Sequence, residues 1–288
     1  MIDSDRLRSF IAFGETLSFT RAAERLHLSQ PALHVQVARL TEDLGVPLYR
    51  RVGRGLELTD AGQAVLAFAR DQDRRQQALR TALGTGPRPT LVLAAGEGVL
   101  LYVLTDPVRR LAGRAGIDLR ILTRDQAGVL AALRTGAAQV GVTALTAPPE
   151  ELHAVKAATT GMIAVMARGH RLARRRTIAL PDLADERLIV PPVGRPHRDH
   201  LDRALAAAQV PWERAVEATG WEVMMRYAAL GVGIAIVNDI CIVPRGAVAR
   251  PVPALAPLAY YVLTRPGLPA EDPASELAER AIAAFRAR

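Results

Sequence analysis

Two groups of side chains have types and spacings that suit contact with a partner. In the first, Ser29, Gln30, His34 and Gln36 fall in the N-terminal half of one short helical stretch, with Thr20 on the helix before it. A glutamine amide pairs bidentately with adenine, and an imidazole donates to guanine acceptors, so this set suits base edges in a major groove. Arg50, Arg51 and Arg54 follow within five residues without an acid among them. That grouping suits phosphate or minor-groove contact. The second group is scattered over the rest of the chain: Glu97, Gly98 and Val99; Arg124, Asp125 and Gln126; Thr143 and Ala144; Val193, Gly194, Arg195 and His197; Trp221 and Glu222. Each follows an apolar run or opens a helical one. Ligands of layered α/β proteins bind at such places, where strand ends meet helix N-termini.

Other arrangements argue against enzyme chemistry. Gly96-x-Gly98 lacks the third glycine of a dinucleotide turn, with Leu101 in its place, and Asp118 opens the next strand instead of ending it. His197 and His200 stand near Asp199 and Asp202, but Arg195, Arg198 and Arg203 make that neighbourhood hostile to a cation. Cys241, the single cysteine, sits in Ile240-Cys241-Ile242-Val243, which keeps a thiol protonated, and no intrachain disulfide can form. No nucleophile elbow or Ser-His-Asp arrangement is visible. Neither catalysis nor a metal or cofactor is expected.

These side chains need elements to hold them. Leu7, Phe10, Ile11 and Leu17 predict a first amphipathic helix. Ser18 caps a second, with Ala22, Ala23 and Leu26 on one face. Ser29 caps a third, with Pro31 in its first turn and Leu33, Val37, Leu40 and Leu44 inward. The short turn His27-Leu28-Ser29 makes the last two a helix-turn-helix. Gly45 stops the third helix, and residues 47–58 read as a hairpin turned at Gly53 and Gly55, a wing. From Thr59-Asp60 a long helix runs to Leu83. It carries Gly62, Val65, Ala69, Gln72, Gln76, Leu79 and Leu83 as a seam for helix pairing, before a Gly/Pro linker at residues 84–89.

The remainder alternates strands with helices. Strand 90–95, a helix from Glu97 to about Gly113, strand 117–122, helix 125–134 and strand 139–143 form a βαβαβ unit with a largely parallel sheet. Strands 162–167, 188–191, 215–218 and 233–237 with helices 197–208 and 221–230 form a second unit. Strand 259–263 and helix 273–286 return to the first.

The run from Leu7 to Leu66 resembles the DNA-binding head of a LysR-type transcriptional regulator. The residues that carry the likeness are Phe10, Ala22-Ala23-Glu24-Arg25-Leu26, Leu28-Ser29-Gln30-Pro31-Ala32-Leu33, Leu40, Leu44-Gly45, Leu48, Arg51, Arg54 and Leu58-Thr59-Asp60-Ala61-Gly62. His34-Val35-Gln36 departs from the Ser-Arg-Gln common in that family, and Tyr49 stands where phenylalanine is commoner. Gln30, Pro31 and Gln36 carry over as DNA contacts. The resemblance implies a winged helix-turn-helix at residues 1–58, a dimerising linker helix at 59–86 and a periplasmic-binding-protein-like effector domain at 87–288. That domain divides into subdomain I (87–162 and 265–288) and subdomain II (163–264). It further implies a sequence-specific regulator on an interrupted palindrome, dimeric or tetrameric, bending DNA and answering to a small molecule in the cleft, with the transcription machinery as a further partner. A solute-binding protein or enzyme with an accessory head is the rival reading.

Charge sharpens this picture. The 288 residues hold 37 Lys+Arg and 29 Asp+Glu, a net charge of +8. Residues 1–60 hold eight of each sign, and residues 87–288 hold 25 positive against 19 negative. DNA binding must therefore rest on local arginines and not on bulk basicity. An acidic N-terminus and the absence of a long apolar run predict a soluble chain without a secretory leader or membrane span, in a reducing compartment, which the resemblance implies is a bacterial cytoplasm.

Overall fold

The computed structural model describes residues 3–83, 85, 88, 90–113 and 116–287. Gly84, Gly86, Pro87 and Pro89 of the expected linker lie outside the described residues.

Side-chain caps set the geometry of the head. Asp3, Ser18, Ser29 and Thr59 each accept a backbone N–H in the first turn of α1 (Ser4–Thr16), α2 (Phe19–Leu26), α3 (Gln30–Leu44) and α4 (Asp60–Ala82). Between α3 and α4, β1 (Tyr49–Val52) and β2 (Gly55–Leu58) pair antiparallel, turning at Gly53 with φ +58°. Phe10, Phe13, Leu33, Leu40, Leu48 and Leu66 are fully buried among these elements. The Phe13 ring stacks on Phe19 at 4.4 Å and meets Tyr49 edge-on at 5.0 Å, so Tyr49 plugs this core from the wing. Gly62 packs directly on the wing's base, where a Cβ would stand 1.8 Å from the Leu48 carbonyl oxygen. Gly62, Val65 and Ala69 therefore belong to the head's own core and not to a free seam. The exposed stripe of α4 runs instead through Phe68, Gln76, Leu79 and Leu83.

The rest builds two sheets. Its elements are β3 (Thr90–Ala95), α5 (Glu97–Tyr102), α6 (Thr105–Ala112), β4 (Asp118–Thr123), α7 (Gln126–Arg134), β5 (Val140–Ala144), β6 (His153–Thr160), β7 (Met162–Ala167), β8 (Arg187–Val190), α8 (Pro196–Ala207), β9 (Glu213–Glu217), α9 (Trp221–Ala229), β10 (Ile234–Asn238), β11 (Ala247–Pro251), β12 (Leu258–Thr264) and α10 (Pro273–Arg286). One sheet has the order β4-β3-β5-β12-β6 and the other β11-β7-β10-β8-β9. In each, three strands run parallel and two are antiparallel additions. The largely parallel sheet expected of the first unit is confined to the trio β4-β3-β5, and in both sheets the parallel trio runs in from one edge.

Three further expectations are corrected. The helix expected from Glu97 to Gly113 is broken at Val103 and Leu104, because Pro107 would lose its bond to the Val103 carbonyl and clash with it. Strand β12 pairs with β5 and β6, so the chain is back in the first sheet by Leu258 and not at residue 265; Met162, likewise, already belongs to the second sheet. The sequence reading also missed β6 and β11. The outward crossing occurs at Gly161, where the Asn238 amide donates to Thr160 Oγ1 at 2.8 Å and to the Gly161 carbonyl at 3.1 Å.

Candidate nucleic-acid interface and ligand cleft

At the tip of α3, Ser29, Gln30, Pro31, His34 and Val35 are all exposed. Ser29 Oγ accepts the Ala32 N–H at 3.3 Å, which fixes where the helix starts. Thr20 Oγ1 lies 3.5 Å from Gln30 Oε1, tying α2 to the front of α3. The His34 ring rests 4.9 Å from Phe19, so an exposed imidazole is braced by a core aromatic. Gln36 departs from expectation. It lies on the same helix face as Leu33, Val37 and Leu40, is half-buried, and its Oε1 accepts a hydrogen bond from the buried Ser9 hydroxyl. Its place is the α1–α3 contact, and Val35 occupies the outer face beside His34.

The wing presents Arg50, Arg51 and Arg54, all exposed. Register places Glu57 opposite Arg50, and the two form a solvent-exposed ion pair at 3.6 Å, an acid the linear spacing did not reveal. Among the described residues, no ion pair engages Arg51 or Arg54. These two are the wing's free cations.

Between the two sheets lies a cleft of about 990 Å³. Glu97, Gly98, Val99, Arg124, Gln126, Thr143, Arg195, His197 and Trp221 all line it, so the scattered second group converges. Glu222 does not. It accepts a hydrogen bond from Tyr102 at 2.5 Å and pairs with Arg226 one turn along α9. The tyrosine hydrogen bond holds the Glu222 carboxyl below the usual carboxylate range, while burial and the same bond push the Tyr102 phenol up.

The cleft is crossed by specific contacts. Arg195 Nη1 reaches Asp125 Oδ2 at 2.7 Å, joining α8 to the cap of α7. Gly98 abuts Trp221: a Cβ there would lie 2.6 Å from the indole ring, which explains the second glycine of Gly96-x-Gly98 without any nucleotide. Gly220, with φ +86°, lies against the Glu97 carboxylate in the same way. His197 Nε2 donates to the Ile236 carbonyl at 2.7 Å. Burial pushes its pKa down, only partly offset by that hydrogen bond. His200, Arg203, Thr146, Thr219 and Tyr260 complete much of the lining and were missed. For His200 and Arg203 a signal existed: with His197 they repeat every third residue along α8, one helical face.

Comparison with known proteins decides the family. Residues 84–286 match the model described as "LysR substrate binding domain", and residues 4–63 match "Bacterial regulatory helix-turn-helix protein, lysR family". The chain belongs to the LysR family. It is 26% identical to the RuBisCO operon transcriptional regulator of Allochromatium vinosum, over 81% of this chain and 78% of that one. It is also 26% identical to the regulator XapR of Escherichia coli K12, over 91% of both chains. Among solved structures, full-length LysG of Corynebacterium glutamicum with bound arginine has the same fold, with a TM-score of 0.70 at 19% identity, over 99% of this chain and 98% of that one. This LysR-family regulator thus pairs a DNA-binding helix-turn-helix with an effector-binding domain.

Contacts between its two halves are also specific. Arg70 donates to the Thr135 carbonyl at 2.6 Å and to Glu15 Oε1 at 2.8 Å, and Arg265 bonds the Ala67 carbonyl and Asp71 on α4. The linker helix is clamped to the first sheet's unit.

Proposed function

We propose that the chain works in a bacterial cytoplasm as a symmetric oligomer, with one α3 in each of two successive major grooves of an interrupted palindrome. The observation that carries this is the pairing, on one head, of exposed Ser29, Gln30, Pro31, His34 and Val35 with Arg51 and Arg54, exposed wing arginines that no acid among the described residues neutralises. Gln30 and His34 read base edges; Ser29, Thr20 and Pro31 set the docking angle; Arg51 and Arg54 fix register on the backbone, with Arg50 assisting. Phe68, Leu79 and Leu83 on α4 form the dimer contact, and dimers associate further through effector domains to bend the DNA. The cleft holds a small-molecule effector, with no catalysis and no cofactor. That effector acts by binding one arrangement of the oligomer more tightly than another.

Binding to the DNA upstream of the protein's own gene tests this. The unaltered protein should bind it selectively and with strong salt dependence. Gln30→Ala should relax base preference, costing about 1–3 kcal/mol on the preferred site and little elsewhere, whereas Arg54→Ala should weaken all sequences alike. Equal, sequence-blind losses for both variants would refute the assigned roles. A metabolite thermal-shift screen with Trp221→Ala as the control identifies the effector.

A further inference from the structure

Two elements begin in the cleft and end on the linker helix. The first is α7. Its cap, Asp125, accepts the Gly128 N–H at 3.0 Å and is also the residue that Arg195 grips across the cleft. After the nine residues of α7 come its C-cap Thr135, whose carbonyl accepts Arg70 Nη1, and Gly136, whose carbonyl lies 3.5 Å from Arg74 Nη1. The second is β12. Leu258, Ala259 and Tyr260 line the cleft, and Arg265, one residue past the strand's end, holds Ala67 and Asp71. At 1.5 Å per helical residue and about 3.3 Å per strand residue, these are stiff spans of roughly 14 and 23 Å.

Their far ends converge on the same two turns of α4. Gly136, at φ +67°, lets the chain approach so closely that a Cβ would sit 3.2 Å from Ala67 Cα and 2.6 Å from Arg265 Nη1. The side chains of Arg70, Arg74 and Arg265 are only 15%, 24% and 17% exposed, so water screens their contacts weakly. Three guanidinium groups share the carboxylates of Asp71 and Glu15, and Arg265 Nε is buried without a partner. Burial together with the neighbouring Arg265 lowers the Arg74 pKa to about 10. Arg70 is the residue that faces both ways. Its other nitrogen holds Glu15 on α1, and Glu15 in turn pairs with Arg25 on α2, the first helix of the helix-turn-helix.

We propose that Arg70 and Arg265 form the joint through which the state of the cleft reaches the DNA-binding head. Movement of the Asp125 end of α7, or of the Leu258 end of β12, shifts the surface on which α4 is seated, and Arg70 carries that shift to α1 and α2 through Glu15. Both arginines are positioning residues: they touch neither DNA nor effector. The proposal rests on the reading of the head and cleft given above and adds the route between them.

A double-mutant cycle tests it without knowledge of the effector. Arg195→Ala releases Asp125 from the far wall and so alters the cleft from within. In full-length protein it should change affinity for the upstream DNA by about fivefold or more, the scale of ordinary allosteric coupling. The change should vanish when Arg70→Gln and Arg265→Gln are also present. The same change in both backgrounds, or none in either, overturns the joint. Hydrogen exchange supplies a reading that does not need the Arg70→Gln and Arg265→Gln variants to fold. Arg195→Ala should speed exchange at residues 67–74 of α4 by about fivefold, and unchanged exchange there would also overturn it. Failure of the unaltered protein to bind DNA selectively is a different result, and it would strike the proposed function instead.

Discussion

The His197 imidazole is committed by its surroundings to the neutral form. Nε2 can meet the Ile236 carbonyl only as a donor, so Nδ1 is the unprotonated nitrogen, and that atom is buried with no protein partner among the described residues. Protonating it would bury a charge beside His200, so the folded-state pKa lies below the ordinary 6.5. The sign of the linkage follows. As pH falls through 6.5 the unfolded chain takes up a proton that the folded chain refuses, so stability drops until the folded pKa is reached, by up to 1.4 kcal/mol per pH unit. Thermal melts at pH 7.5 and 5.5 should show a fall in Tm that is clearly smaller in His197→Gln, whose amide can still donate to Ile236. Equal falls in the two proteins would remove His197 as the cause. The same scale shows what a linear sequence hides. That His197 would line the cleft was legible from its place after a strand, but its bond to a carbonyl 39 residues away was not. Gln36 was misplaced because a glutamine reads as a surface residue, and only the buried Ser9 hydroxyl opposite it gives it an inward partner. Glu222 was misplaced by one helical step: Trp221 faces the cleft, and the next residue, about 100° further round α9, turns to Tyr102.

At the scale of elements, the head was almost wholly legible, because its caps are Asp, Ser and Thr, its core of Leu, Val, Ala and Phe recurs at helical spacing, and its contacts are local. The two missed strands show the opposite case. β6 is His-Ala-Val-Lys-Ala-Ala-Thr-Thr, poor in the bulky residues that mark strands, and β11 is five residues ending in Pro251 at a sheet edge. Each is the last strand laid down before the chain crosses to the other sheet, added antiparallel at an edge, and its partner is set by that topology, which no local pattern encodes. The linker helix falls between these cases. Its heptad-like spacing was visible, but which face it frees is set by Gly62 docking on Leu48. That docking turns Val65 and Ala69 inward and leaves Phe68, Leu79 and Leu83 at 45%, 61% and 68% exposure. An apolar stripe of this kind is stabilised by a second helix. Leu79→Glu with Leu83→Glu should therefore weaken self-association by at least tenfold in analytical ultracentrifugation, with little change in the melting of the head. Val65→Glu should do the reverse, unfolding the head because Val65 packs against its core. Intact association in the double variant would place the oligomer contact elsewhere.

For the molecule as a whole, the charge of +8 invites an explanation of DNA affinity that the structure redirects. The head is formally neutral, and its binding must come from the few cations that geometry leaves unpaired. The largest run of positive charge lies elsewhere: Arg168, Arg171, Arg174, Arg175 and Arg176 stand close together in the second sheet's unit, with Arg171 paired to Glu186 and Arg175 to Asp182. If bulk basicity drove association, removing Arg168, Arg174 and Arg176 would flatten the dependence of log affinity on log salt as much as removing wing residues does. If local placement drives it, the slope should ignore them. Each phosphate contact contributes about 0.9 to that slope. A dimer carrying Arg51→Ala and Arg54→Ala loses four such cations, so its slope should fall by roughly 3 to 4. The triple variant in the effector domain should stay within about 0.5 of the unaltered protein, less than one contact's worth. Titrations of a short operator fragment across about a fourfold range of salt resolve the two cases. A slope that tracks the effector-domain arginines would mean that DNA wraps beyond the heads, and that the neutral head is not the whole of the interface.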